Sequence, residues 1–303
     1  MGRKAMKKWR AVLVVVTLAV TLIVVLGWVF VVPGELKTLV QFSRWHDSHV
    51  RASGYVDREP AGTRIYWEEF GNADGPPVVV LHAGLTSIAF MGGQIEALAT
   101  EFYRVIAIDS RGHGKSSNTA SVPTYEMMTD DVVAVMDARK IAKADVVGWS
   151  DGGNVGLDLA RRYPDRVRKL VAFGANHTPP PDGQDAEMTK EFKEAKPDAG
   201  MFFPLRYLYQ KNSPTPDKWP EFFERERAMV FAGPNWSLAD LSNIRAPVLL
   251  LNGEHDLVLL PYATAMKNAI SGARLEVVEG EGHELPLANP AKANPTMVAF
   301  LRQ

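Results

Sequence analysis

Residues 144–153 read A-D-V-V-G-W-S-D-G-G, and that stretch admits few local structures. An apolar, β-branched run ends at Gly148, and the residues after Gly153 have helical spacing. The chain therefore stops being a strand, turns at Ser150 and begins a helix within a few residues. A turn that sharp forces strained backbone angles on the serine, and only very small residues two positions to either side let strand and helix cross so closely. Gly148 and Gly152 meet that demand. A glycine-rich β-to-α turn with an incidental serine has the same five-residue pattern, so residues elsewhere in the chain must decide whether Ser150 does chemistry.

The surrounding sequence predicts further strands at 63–70, 77–81, 104–108, 167–173, 247–251 and 275–278, with helices at 125–140 and 290–301. Residues 71–75, G-N-A-D-G, form a turn that implies a hairpin at the start of the sheet. Farther on, strands alternate with helical segments, which requires right-handed crossovers and a mostly parallel sheet. The alternation breaks between about 176 and 243, where nine prolines are interspersed with many aromatic residues, Phe202, Trp219, Phe222 and Phe223 among them. So much aromatic surface is incompatible with a disordered linker and predicts a cap inserted between sheet elements.

Ligands of open parallel sheets bind outside the carboxyl ends of the strands. Ser150, Asp256 and His283 each fall just past such an end, in that order along the chain. A serine hydroxyl is a weak nucleophile at neutral pH, so it needs a base to take its proton and return it to a leaving group. His283 suits that role, and Asp256 suits the fixing of its tautomer. The negative oxygen of a tetrahedral intermediate requires backbone N–H groups already aimed at it. The expected donors are those of Asp151, directly after the serine, and of Gly84, in the loop after the 77–81 strand. Leu85, Trp149 and Asp151 are the expected substrate-binding side chains. The chemistry calls for no metal or cofactor. His46 and His49 have no third ligand at matching spacing and are expected to be solvated, and His113 is expected to serve its turn.

The chain has no cysteine, which excludes disulfides and a thiolate nucleophile. Its formal net charge of -1 hides an asymmetry, because Arg3, Lys4, Lys7, Lys8 and Arg10 precede any acid and leave the rest of the chain with an acidic excess. That balance argues against a nucleic-acid partner. Residues 11–32 are uncharged. As a helix they would reach roughly 33 Å, enough to cross a hydrocarbon core of about 30 Å. The run is longer than a signal-peptide core and lacks a small-residue cleavage site, which favours a retained single-pass anchor over a secreted, cleaved form. The basic residues would stay in the cytoplasm, with the body outside. The expected organisation is a tail and anchor at 1–33, a juxtamembrane stalk at 34–60, and a domain at 61–303 carrying the cap at about 176–243.

The G-W-S-D-G-G turn, the H-A-G-L-T-S loop after the 77–81 strand and D-S-R-G-H-G-K-S at 109–116 resemble the α/β-hydrolase-fold serine hydrolases over roughly 64–301. G-W-S-D-G-G together with F-G-A-N at 173–176 is most similar to the valacyclovir hydrolase-like, or biphenyl hydrolase-like, group. The resemblance implies an α/β-hydrolase fold and a small-molecule carboxylic ester as substrate, with lactones or thioesters as close variants. C–C bond hydrolases and perhydrolases use the same three residues and remain open, while a non-catalytic membrane-anchored binding module would be expected to lack one of them. Asp151 is unusual directly after the nucleophile: its carboxylate either braces the helix start or faces the acyl pocket. The group's amino acid ester substrates point to the second.

Overall fold

The computed structural model describes residues 34–60, 62–117 and 122–303. Its strands are β1 (Ala52–Arg58), β2 (Thr63–Gly71), β3 (Pro77–Leu81), β4 (Arg104–Ile108), β5 (Ala144–Trp149), β6 (Val167–Phe173), β7 (Val248–His255) and β8 (Arg274–Gly282). The helices before the cap are α1 (Gly34–His49), α2 (Gly92–Thr100), α3 (Tyr125–Ala138) and α4 (Asp151–Arg162). The cap region carries α5 (Ala186–Glu194), α6 (Phe203–Asn212), α7 (Trp219–Ala232) and α8 (Leu238–Leu241), and α9 (Leu260–Ala269), α10 (Leu285–Ala288) and α11 (Pro290–Arg302) follow.

The strands form one sheet in the order β1-β2-β4-β3-β5-β6-β7-β8. β2 pairs antiparallel with β1 and β4, and the remaining neighbours are parallel. The continuous apolar runs of β3 and β5 follow from coverage on both faces. Val79, Leu81 and Val146 pack with Val132, Val135 and Met136 of α3 and Val155 and Leu159 of α4. Their alternating neighbours Val78, Val80 and Val147 pack with Phe42 of α1, Ile95 and Leu98 of α2 and Met297 and Leu301 of α11. The cap helices gather Phe202, Tyr209, Trp219, Phe222 and Phe223 with Leu85 into a separate aromatic cluster above the carboxyl ends of the strands.

Two expectations are corrected. The turn at 71–75 does not close a hairpin, because β4 lies between β2 and β3. The chain instead ducks under the start of β4, where Asn72 N–H donates to the Tyr103 carbonyl at 3.0 Å. Gly75 passes so close that a Cβ there would lie 2.0 Å from the Phe102 oxygen. The second correction concerns 34–60, which lie against the body and do not form a stalk. The Phe42 ring of α1 occupies the space a Cβ on Gly92 would need, 2.3 Å away, and β1 is the edge strand, paired with β2 from Ala52 to Arg58. Among the described residues no helix is long and apolar enough to cross a membrane; the expected span at 11–32 lies outside them.

Candidate active site

Ser150 joins β5 to α4 with φ 53° and ψ −116°. Such a backbone costs a non-glycine residue on the order of 1–3 kcal/mol and persists only when its surroundings impose it. Here the serine N–H donates to the Phe173 carbonyl of β6 at 2.8 Å, and the serine carbonyl accepts the Asn154 N–H at 2.9 Å. A Cβ on Gly148 would lie 2.2 Å from the Gly152 oxygen, and one on Gly152 would lie 2.4 Å from the Leu81 oxygen. Strand and helix thus cross at backbone contact, which is the reason for the two glycines.

His283 follows β8 directly, and its Nδ1–H donates to Asp256 Oδ1 at 2.7 Å. The carboxylate is fixed in turn by the N–H groups of Val258 at 3.0 Å and Gly253 at 3.3 Å. Gly174, with φ 51°, forms the floor of the pair: a Cβ there would lie 2.7 Å from His283 Nδ1 and 3.1 Å from Asp256 Oδ2. Trp149 Nε1–H donates to the His283 carbonyl at 2.8 Å, tying this loop to the strand that carries the serine. Burial pulls the imidazole pKa down, but the charge of Asp256 and its hydrogen bond outweigh that and leave it above the ordinary value.

Ser150 and His283 share the wall of one cavity of about 380 Å³ between the sheet ends and the cap. Gly84, Leu85, Trp149 and Asp151, all singled out from the sequence, are in the same wall. Asp151 is the first residue of α4, where backbone N–H groups have no intrahelical partner and the helix end is partially positive. The Gly84 loop is braced from below. His82 Nδ1–H donates to the Ala83 carbonyl at 2.7 Å, and Nε2 accepts the Ser110 N–H at 3.0 Å. Complete burial and the proximity of His113, only partly opposed by the Ala83 carbonyl, push the His82 pKa down to about 3, so the ring is neutral. His113 Nε2 accepts the Leu85 N–H at 3.1 Å and stands 3.4 Å from Glu226 Oε2. These two contacts oppose each other: Glu226 favours a protonated ring, yet protonation would set Nε2–H against Leu85 N–H. Its Nδ1–H donates to the Arg111 carbonyl at 3.1 Å; burial pulls the ring pKa down, but Glu226 and that carbonyl outweigh it and leave it above the ordinary value. His113 is therefore a bracing residue of the Gly84 loop.

The Asp151 side chain does not cap its helix. Its Oδ1 accepts the Tyr125 hydroxyl at 2.6 Å. Its Oδ2 lies against Gly84, where a Cβ would be 2.3 Å from it and 3.5 Å from Glu226 Oε2. Two buried carboxylates thus converge beside the Gly84 loop, and among the described residues Glu226 Oε2 has no hydrogen-bond partner. Burial and repulsion from Glu226 push the Asp151 pKa up to about 6, against the opposing effects of Tyr125, His113 and His283. Sequence reading missed Tyr125 and Glu226: both sit on helices whose sequence has no motif, and only the packing of the cap onto α3 and α4 brings them to the cavity. Among the described residues no cluster of acids and histidines is arranged to hold a metal. His46, expected to be solvated, instead bridges Asp47 and Glu68 at 2.9 and 2.8 Å.

Comparison with known proteins agrees with this architecture. Residues 76–207 match the α/β-hydrolase fold family. The chain is 30% identical to a non-heme chloroperoxidase of Streptomyces lividans over 80% of this chain and 97% of that protein. It is 26% identical to the human serine hydrolase BPHL, over 80% of this chain and 84% of the relative. The crystal structure of a bacterial membrane phospholipase A superposes with a TM-score of 0.71 at 21% identity, covering 95% of this chain and 97% of that one, a likeness of fold. By sequence, sheet order and the strained serine turn, the chain belongs to the α/β-hydrolase family.

Proposed function

We propose that the protein is a serine carboxylic ester hydrolase working through an acyl-enzyme on Ser150. One observation carries the reading: a serine in a strained turn shares a cavity wall with a histidine whose far nitrogen is held at 2.7 Å by a buried aspartate. With Nδ1–H committed to Asp256, His283 Nε2 has the free lone pair. As Ser150 Oγ bonds to the ester carbonyl carbon, Nε2 takes the hydroxyl proton, and the carbonyl electron pair moves onto oxygen between the N–H groups of Gly84 and Asp151. Collapse of the intermediate breaks the bond to the alkoxy oxygen, which leaves with the proton from Nε2. Water then bonds through its oxygen to the acyl carbon as Nε2 takes its proton, and collapse breaks the bond to Ser150 Oγ, which regains the proton from Nε2 as the acid leaves. Lactones and thioesters follow the same path, and perhydrolysis differs only in the incoming nucleophile.

A second, finer reading concerns the acyl side. Asp151 and Glu226 place carboxylate oxygens in a wall otherwise rich in apolar groups, which favours an ester carrying an amine, as in the biphenyl hydrolase-like group. The proposed setting is a catalytic body held outside the cytoplasm by residues 11–32.

The test is turnover of a short-chain nitrophenyl ester. Ser150→Ala should lose about 10⁴-fold or more in kcat while keeping its fold. A variant that retains most activity overturns the assignment.

A further inference from the structure

Three of the large hydrophobic side chains that stand open to solvent fall within seven residues of the cap: Met201, Phe203 and Tyr207, 66%, 56% and 49% exposed. Phe203 and Tyr207 are four apart on α6, so they share one face, and their rings stack at 6.2 Å. Lys211 continues the stripe one turn on, with Nζ 5.5 Å from the Tyr207 ring, and the Arg206 guanidinium lies 5.9 Å from the Phe203 ring. Leu205 and Leu208, on the other side of the helix, face inward. Leu205 lines the cavity that holds Ser150, and Leu208 faces Leu39 and Phe42 of α1 across a cleft. An exposed aromatic stripe flanked by cations has the composition of a helix lying in a membrane interface.

The place where the N-terminal region enters the body says what covers this stripe. Gly34 packs on α10, where a Cβ would lie 2.2 Å from the Ala288 carbonyl oxygen. The preceding residue, Leu287, lines the active-site cavity. Gly34, the first described residue beyond the uncharged run at 11–32, therefore stands near the cavity rim, on the side of the body where α6 faces α1 across the cleft.

We propose that the outer face of α6, with Met201, docks on the surface of the bilayer that residues 11–32 span, so that the cavity takes esters from the lipid phase. Phe203 and Tyr207 enter the acyl boundary, and Arg206 and Lys211 meet lipid phosphates. The inference rests on the proposed anchor and on ester hydrolysis as the reaction, and each is read out separately below.

The absence of cysteine makes site-specific labelling direct. The full chain carrying Tyr207→Cys, labelled with an environment-sensitive fluorophore, is reconstituted in phosphatidylcholine–phosphatidylglycerol vesicles containing a headgroup spin-labelled lipid. Asn268→Cys, at the far end of α9 that leads into the start of β8, is the control. Strong quenching at 207 with little at 268 is the expected result, and equal quenching at both sites, or none at either, overturns the docking. A chain that fails to float with the vesicles overturns the anchor and this orientation together, while leaving Ser150-dependent hydrolysis of a soluble ester untouched. In the kinetic arm, Phe203→Ser with Tyr207→Ser lowers kcat/KM about tenfold for a long-chain ester embedded in vesicles and leaves a soluble short-chain ester unchanged. Equal loss on both substrates, or on neither, contradicts the proposal.

Discussion

The strained φ at Ser150 and the buried pair at His283 translate into kinetics residue by residue. Ser150→Ala and His283→Ala should each cost about 10⁴-fold or more in ester turnover, and Asp256→Asn less than either, because the imidazole still rests on Gly174, and Trp149 still holds the His283 carbonyl, when the charge is lost. His283 acts as a base only when neutral, so kcat/KM should rise with pH through an apparent pKa above the ordinary 6.5. Asp256→Asn removes the influence that lifts this pKa, and the acid limb of the profile should move to lower pH; an unmoved limb would mean that another group controls it. Asp151→Asn should reduce kcat/KM for an amine-bearing ester by roughly 10 to 150-fold relative to its desamino analogue, the range of a charge-assisted contact of about 1.5–3 kcal/mol. If both substrates slow alike, Asp151 is structural. Ser150 and Asp151 were legible because two glycines constrain the turn around them. Glu226 was not, since nothing in residues 219–232 distinguishes a cavity-facing acid from the exposed Glu224 on the same helix.

At the level of elements, the crossing of β5 and α4 and the bracing of the Gly84 loop are the features most sensitive to change. Gly148→Ala drives a Cβ to 2.2 Å from the Gly152 oxygen, a backbone atom that has no room to retreat. The cost should be about 1–3 kcal/mol or more, seen as a lower urea midpoint, with loss of activity as the serine turn distorts. His82 couples the same loop to acid. Its folded-state pKa of about 3 lies below the 6.5 of the unfolded chain, so between those values the unfolded state binds more protons. Stability from this residue is complete above pH 6.5 and is lost as pH falls toward 3, by up to about 1.4 kcal/mol per unit. His82→Gln should be less stable at pH 7.5 yet lose less on going to pH 5; a loss equal to that of the parent would assign the acid sensitivity elsewhere. The elements themselves were largely visible in the sequence, because β3 to β7 are apolar runs that end in glycine-rich loops. Their lateral order was less so. A turn such as G-N-A-D-G says that the chain reverses but not which strand it will lie beside, and β4 took the place between β2 and β3 through a crossover that local sequence does not encode.

On the scale of the whole molecule, α1 and β1 show why a charged, aromatic, aperiodic stretch was hard to place. Residues 34–60 owe their structure to Gly92 and Ala288, far away in sequence, and to β2, which follows them directly. The same contacts bring Gly34, the first described residue, near the rim of the cavity. On the proposed anchoring of the body outside the cytoplasm, protease added to intact spheroplasts should remove the catalytic domain; full protection, or a mature soluble form beginning beyond residue 32, would contradict the proposal. The most direct test of the chemistry is covalent and needs no knowledge of the natural ester. The folded full chain is treated with a fluorophosphonate probe, digested and mapped by mass spectrometry. A single modification on the peptide carrying Ser150, abolished in Ser150→Ala and strongly slowed in His283→Ala, is the expected result. A folded protein that does not react, or one that reacts at another residue, would contradict an activated serine at the β5–α4 turn.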